Sequence, residues 1–229
     1  MADLVIGACG ANSKIRSYIT DVRPFYAGVT VVEGSVYNSG ATSPDIHKVC
    51  NGGKIFAFGE EKSLIVSSKG DGSMAFYTGH KTTQMWGREC GIDFSDRPQV
   101  LSWFKTEYSG WNNVWEELFK NAALPFLPRP KYCMPLDQIW KTLPNLTMLG
   151  DAAHLIPPYA GEGVNMAMQD ALGLSRCLTG QNFADVHAAI AAYEKQMLTR
   201  SSATARLTLE SINALHDTEA KPYLIGVIS

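Results

Sequence analysis

The sequence lacks the features that mark several large protein classes. No apolar run reaches the roughly 18 residues of a membrane-spanning helix, and the start, MADLVIGACG, has no basic region before its short apolar run, unlike a secretory signal. No basic run is present and the net charge is -2, so nothing favours attraction to nucleic acid. These absences predict a cytoplasmic protein that neither spans a membrane nor binds nucleic acid.

Cysteine is scarce and irregularly spaced. The chain has five cysteines, an odd number, and no two of them have CxxC spacing. This pattern predicts free thiols in a reducing compartment, without a disulfide framework and without a zinc or other metal site.

The elements that are present predict an α+β fold. A continuous apolar run at Asp3–Ala8 predicts a buried strand. Between Gly28 and about Thr82, short β-rich segments alternate with turn residues, which predicts an antiparallel sheet of at least four strands with a tight turn at Asp71-Gly72. Four prolines, at positions 125, 128, 130 and 135, predict an extended connector.

Helical spacing appears in two later regions. Residues 99–119 are predicted to be helical, with core candidates that include Trp103, Trp111 and Trp115. A second helix is predicted beyond Gly163 and ends at Gly180, and Asn182 or Asp185 begins the next one. The predicted buried face of the second helix consists of Val164, Met168, Ala171, Leu174, Ser175 and Leu178.

The stretch GDAAHLIPPYAGEGVN, residues 150–165, joins a short predicted strand to this second helix. Asp151 follows the strand end, where a carboxylate can accept hydrogen bonds from the hydroxyls of a sugar or ribityl chain. Gly161 and Gly163 allow a ligand to approach the backbone, and the helix N-terminus offers N–H donors that favour negative charge on a planar ring. The alternative is a glycine-rich connection in which Asp151 is a plain cap.

This stretch resembles the second FAD-binding motif of the flavin-dependent aromatic hydroxylases, the para-hydroxybenzoate hydroxylase-like monooxygenases. The resemblance implies that Asp151, with Gly150, binds the ribityl chain. It also implies that the flavin ring lies beside a second set of residues, namely Pro158, Gly161, Gly163, Val164 and Asn165.

A second stretch, DLVIGACGANSKIR, resembles the GADGxxSxVR motif of the same family. Gly10, Ser13 and Arg16 match, whereas Cys9 stands where the family has aspartate, so the role of that acid near the pyrophosphate does not carry over. The whole pattern, from Asp3 to about Met197, most resembles the tetracycline-inactivating flavin monooxygenases and their relatives.

The resemblance implies an FAD-dependent monooxygenase that hydroxylates an aromatic or polycyclic enol or phenol with NAD(P)H and O2. The cofactor carries this chemistry, so no catalytic side chain is named. The implied organisation is an incomplete FAD-binding domain (1–24 and 136–180), a β-sheet substrate-binding domain (25–135) and a C-terminal helical segment (181–229).

The GxGxxG motif that binds the ADP half of FAD in this family does not occur in the sequence. We therefore expect a fragment of a full enzyme that binds FAD weakly or not at all by itself, and that is either a monomer or receives the missing N-terminal half in a full-length form. The alternative is a catalytically inactive remnant that binds an aromatic ligand or a partner chain.

Substrate contacts are predicted at four positions. Tyr159 is placed to stack on or hydrogen-bond the substrate, and Glu33, Lys54 and Phe76 lie on strands that approach the substrate cavity in the resembling enzymes. The alternative for each is a packed or solvated residue. His154 is either a general base or, as its position beside a helix favours, a structural histidine.

Overall fold

The computed structural model describes residues 2–228, without the side chains of residues 221, 224, 227 and 228. The described strands are β1 (Val5–Gly7), β2 (Phe25–Val36), β3 (Lys54–Gly59), β4 (Lys62–Ser68), β5 (Met74–Lys81), β6 (Leu127–Cys133) and β7 (Leu146–Met148). The described helices are α1 (Ser39–Thr42), α2 (Pro44–Cys50), α3 (Trp86–Glu89), α4 (Arg97–Glu107), α5 (Glu116–Asn121), α6 (Asp151–His154), α7 (Gly163–Thr179), α8 (Val186–Leu215) and α9 (Ala220–Ile228). This content confirms the predicted mixture of helices and antiparallel sheet.

The chain forms two compact units. The first, called the loop unit here, comprises residues 1–27 and 132–212, and the second, the sheet unit, comprises residues 28–131 and 213–229. In the loop unit, β1 and β7 form a two-stranded parallel sheet, with Val5 opposite Leu146. Its main apolar cluster includes Met148, Leu174 and Tyr193.

The sheet unit is built on a five-stranded sheet in the order β3-β4-β5-β2-β6. The pairs β3-β4, β4-β5 and β5-β2 are antiparallel, which confirms the sheet predicted between Gly28 and Lys81. The predicted turn at Asp71-Gly72 joins β4 to β5, where Gly72 has a φ of 79° and donates its N–H to the Lys69 carbonyl at 3.1 Å.

The proline-rich segment is a strand, so the prediction of a connector was wrong there. Pro128 and Pro130 lie within β6, which is an edge strand of the sheet. Backbone groups of residues two apart point to the same side of a strand. Both missing N–H groups can therefore face away from the neighbouring strand, which is why an edge position tolerates these prolines.

The predicted helix over residues 99–119 is split in two. α4 begins at the cap Asp96, whose carboxylate accepts the Gln99 N–H at 3.2 Å, and it ends at Glu107. Gly110, with a φ of 88°, lies in the break before α5. The sheet unit's core contains Phe76, and the three tryptophans predicted for the core pack against that core while remaining partly exposed.

The buried face of α7 differs from the prediction. Val164 and Met168 are 73% and 61% exposed. The buried stripe consists of Met166, Asp170, Leu174 and Cys177, so the prediction was right for Leu174 and wrong for Val164 and Met168. Both stripes are apolar enough to satisfy helical spacing, and polar partners of Asp170 inside the loop unit decide which one faces inward.

The ends of α7 and α8 follow the sequence signals. Gly180 lies at the C-terminal cap of α7, and Asp185 accepts the Ala188 N–H at 2.8 Å at the start of α8. None of the helices that the structure describes combines the length and the apolar character needed to cross a membrane.

Candidate functional site

The candidate site in the loop unit begins with a tight turn directly after β7. Gly150 has φ 59° and ψ -148°, a backbone conformation that is essentially restricted to glycine. A Cβ atom on Gly150 would also lie 3.2 Å from the Cβ of Ala167. The chain therefore requires glycine here in order to turn from the strand directly into α6, which starts at Asp151.

Asp151 presents its carboxylate to solvent at the carboxyl end of β7. No hydrogen bond to this carboxylate is present among the described residues, and the residue is exposed. Partial burial raises the pKa of Asp151, while the nearby His154 and Arg16 oppose that rise. The arrangement leaves an acceptor free for the hydroxyl groups of a ligand.

Arg16 holds the other side of the same turn. Its guanidinium is buried, and it donates from Nε to the Ala152 carbonyl and from Nη2 to the Asp151 carbonyl, both at 2.8 Å. Burial lowers the pKa of Arg16, but arginine stays charged at any ordinary pH. Arg16 thereby ties the segment after β1 to the loop, a role that its motif match did not reveal. Nearby, Cys9 is exposed, and its Sγ lies 2.9 Å from the Ser13 Oγ.

Asp170 lies beneath the turn and is fully buried. It accepts hydrogen bonds from the Gly150 N–H at 2.9 Å, from His154 Nε2, and from Arg200 Nη2 at 2.6 Å. Burial opposes its ionisation, but the hydrogen bonds and charge of its partners hold the pKa of Asp170 below its usual value. Sequence reasoning missed Asp170 and Arg200. The sequence signal that could have indicated Asp170 is its position as the single acid within the apolar stripe that starts at Met166.

His154 is buried, and its ring is bonded to Asp170. A ring in that position has no open path to a substrate proton. The structure therefore favours the structural role over the general base.

The remainder of the loop exposes backbone at the start of α7. Gly161 has a φ of 70°, and a Cβ atom added to Gly161 or to Gly163 would meet no other atom within 4 Å. No side chain of the described residues caps α7, and Asn165 donates to the Glu162 carboxylate at 3.2 Å. The uncapped helix end, the open glycines and the Asp151 carboxylate fit a planar, electron-rich group with a hydroxyl-bearing chain. Pro158 and Val164 are exposed on this loop, and Tyr159 is half-buried.

In the sheet unit, the structure separates the predicted substrate residues. Glu33 is directly opposite Tyr77 across β2 and β5, and the strand registers place Lys54 on the same sheet face. Phe76 points to the other face. It is fully buried, with its ring 5.1 Å from Phe119. Phe76 therefore serves the core and has no exposed surface to offer a substrate.

Three residues on the Glu33 face were not foreseen. Arg129 Nε donates to Glu33 Oε2. Burial lowers the pKa of Lys131, an effect that Glu33 opposes, and burial together with Glu33 raises the pKa of Tyr77. Strand alternation could have predicted which residues share the Glu33 face. Phe76 lies on the same side of β5 as the apolar Met74, whereas Tyr77 lies on the opposite side.

The family model described as "FAD binding domain" matches residues 1–207. Monooxygenase asqM of Emericella nidulans is 25% identical over 259 residues, covering 92% of this chain and 58% of asqM. The structure of Klebsiella pneumoniae HpxO complexed with FAD and uric acid has a TM-score of 0.74 and 21% identity, covering 96% of this chain and 53% of HpxO.

The structure of tetracycline destructase Tet(51) has a TM-score of 0.65 and 16% identity, covering 99% of this chain and 59% of that one. At these identities the two solved structures show a shared fold. The chain spans about half the length of the curated relatives it matches. Together the matches confirm the resemblance that the two sequence motifs indicated.

Proposed function

The chain belongs to the FAD binding domain family, and on that premise we propose that it acts in an FAD-dependent monooxygenase reaction. The substrate is an aromatic or polycyclic enol or phenol, and the co-substrates are NAD(P)H and O2. The observation that carries the proposal is the exposed Asp151 carboxylate, together with the uncapped start of α7 in the same unit.

Each loop residue has a distinct part in this proposal. Asp151 accepts hydrogen bonds from the ribityl hydroxyls, and Gly150 gives it the required position. The N–H groups at Gly163, Val164 and Asn165 would donate hydrogen bonds to negative charge on the flavin ring. Pro158 and Gly161 shape the loop against the ring. FAD supplies the redox and oxygen chemistry when bound, and no side chain of this chain is assigned a catalytic step.

Substrate recognition is proposed for the two units separately. In the loop unit, Tyr159 stacks on or hydrogen-bonds the substrate. In the sheet unit, Glu33 and Lys54 contribute polar contacts, and Tyr77 takes the place that Phe76 cannot fill, because Tyr77 lies on the Glu33 face.

The test is a titration of the purified chain with FAD, followed by the quenching of flavin fluorescence. We expect weak binding, because the sequence lacks the GxGxxG motif. Asp151→Ala should weaken binding by about 1–3 kcal/mol, or roughly 5- to 150-fold. Asp137→Ala, an exposed acid in the same unit, is the matched control and should bind as the wild type does. Equal affinities for the Asp151 and Asp137 variants would remove the proposed site.

A second candidate function is the binding of a partner chain, favoured by exposed apolar surface in the loop unit. Parallel sheets are normally covered on both faces, yet Val5 and Ile6 of β1 are exposed, as are Val164, Met168 and Leu172 of α7. A separately produced chain with a GxGxxG βαβ unit should form a 1:1 complex with this chain in sedimentation experiments. Met168→Glu should weaken that complex. If the two chains sediment independently, this function is excluded.

A further inference from the structure

Asp170 is a charged residue in a position where an apolar side chain would satisfy the helix pattern. It lies in the buried stripe of α7 between Met166 and Leu174. Removing a carboxylate from water costs several kcal/mol unless its oxygens are well hydrogen-bonded. Three donors meet this need, namely the Gly150 N–H, the His154 ring and the Arg200 guanidinium.

One of these three donors is a backbone group of the turn that presents Asp151. The Gly150 N–H donates to Asp170 Oδ2 at 2.9 Å. The carbonyls of the next two residues, Asp151 and Ala152, accept hydrogen bonds from the Arg16 guanidinium. The turn is thus held through its N–H on one side and through its carbonyls on the other. A four-residue helix such as α6 cannot hold this geometry alone, because helix nucleation is unfavourable in so short a segment.

We infer that Asp170 is a positioning residue that fixes the Gly150-Asp151 turn and thereby directs the Asp151 carboxylate outward for a flavin ribityl chain. The inference rests on the proposed function for its ligand. With the Gly150 N–H and the Asp151 carbonyl both engaged inside the unit, the exposed Asp151 carboxylate is available to accept hydrogen bonds from FAD. His154 belongs to the same arrangement, since its ring bonds to Asp170.

The first measurement uses the wild-type chain and needs no FAD. Amide hydrogen exchange by NMR should show the Gly150 N–H protected to the same degree as the amides of the β1-β7 ladder, because its acceptor is fully buried. Exchange as fast as at the exposed Gly161 would overturn the inference.

The second measurement compares two variants of the loop unit. Asp170→Asn keeps the side-chain size but loses the charge that draws the Gly150, His154 and Arg200 donors together. The matched control is Thr147→Val, which removes a buried hydrogen bond from Thr147 to Glu194 at 2.8 Å that does not touch the turn. Both variants should lower the melting temperature.

Only Asp170→Asn should speed exchange of the Gly150 amide and weaken FAD binding, each by about tenfold or more, since charge-assisted hydrogen bonds are about twice as strong as neutral ones. If both variants lose thermal stability but neither changes Gly150 exchange or FAD affinity, Asp170 is structural and the inference is wrong. If Asp170→Asn does not fold, the wild-type exchange measurement decides alone.

The two hypotheses fail in different ways. If the wild-type chain binds no FAD even at millimolar concentration, the proposed function fails, while Gly150 exchange still reports whether Asp170 holds the turn. If the wild type binds FAD and Asp170→Asn binds it equally well, the positioning role fails and the proposed function stands.

Discussion

The two units stabilise their candidate site residues by different means. In the loop unit, buried charges make hydrogen bonds to the backbone, with Asp170 and Arg16 on either side of one turn. In the sheet unit, aromatic rings such as Phe76 and Phe119 pack beneath a sheet whose other face carries the polar side chains. The difference shows that a site made of backbone groups needs polar support, whereas a site made of side chains needs a rigid apolar base.

The largest expected effect is in the aromatic core of the sheet unit. Phe76→Ala should lower the free energy of unfolding by about 3–5 kcal/mol, because it removes a fully buried ring. Phe56→Ala on β3, where the ring is 49% exposed, should cost less than half as much. Urea unfolding of both variants measures the difference. Equal losses would mean that packing beneath the sheet is not what stabilises this unit.

The next effect is a pH dependence that arises from His80. This buried ring packs edge-on to Trp86 at 4.4 Å, and burial lowers its pKa to about 4, an effect that Glu107 opposes and that His216 and Lys62 add to. Between about pH 6.5 and pH 4, His80 is protonated in the unfolded chain but not in the folded chain. Stability is therefore lost as the pH falls through this window, by up to about 3 kcal/mol.

Comparing the wild type with His80→Gln in urea unfolding at pH 7.5 and pH 4.5 isolates this contribution. The wild type should lose more stability than the variant on acidification. An identical loss in both would show that His80 takes up its proton in the folded state without penalty.

A smaller effect is expected at the glycines of the loop unit. Gly150→Ala should cost about 1–3 kcal/mol, because its backbone conformation is closed to other residues and the new Cβ would press on Ala167. Gly161 has a left-handed conformation with open space around it, so Gly161→Ala should lower the free energy of unfolding by only about 1 kcal/mol. Thermal unfolding compares the two. A larger loss of stability for Gly161→Ala than for Gly150→Ala would contradict this expectation.

The smallest effect should be the same in both units. Asp185→Ala at the start of α8 and Asp96→Ala at the start of α4 each remove a capping hydrogen bond to a backbone N–H. Each should cost about 1 kcal/mol, independent of the surrounding unit. Chemical denaturation of the two single variants tests this. A clear difference between them would mean that one cap also has a tertiary role.

Local patterns allowed the elements around the site to be predicted. Alternation and turn residues located the antiparallel strands and the turn at Gly72, and capping signals located Gly180 and limited the start of α8 to Asn182 or Asp185, of which the structure has Asp185. These signals act over a few residues, so neighbouring positions are enough to reveal them. The same holds for the glycines and Asp151 of the loop, which lie in one continuous stretch.

Long-range partners could not be predicted in this way. Helical spacing in α7 allowed two apolar faces, and spacing alone chose the one with Met168, which is exposed. The choice depends on Arg200, thirty residues beyond Asp170, and on the Gly150 N–H, twenty residues before it. In the same way, Phe76 and Tyr77 are adjacent in sequence, and only the packing of the helices against one sheet face separates core from surface.

By itself, the sequence determined the type of most main elements, the glycine-rich loop of residues 150–165 and the acid that follows the strand end, because backbone conformation and capping are local properties. The tertiary structure decided which face of each element is buried and which charges meet inside the loop unit. The physical reason is that a buried carboxylate such as Asp170 is stable only where its distant hydrogen-bond donors converge.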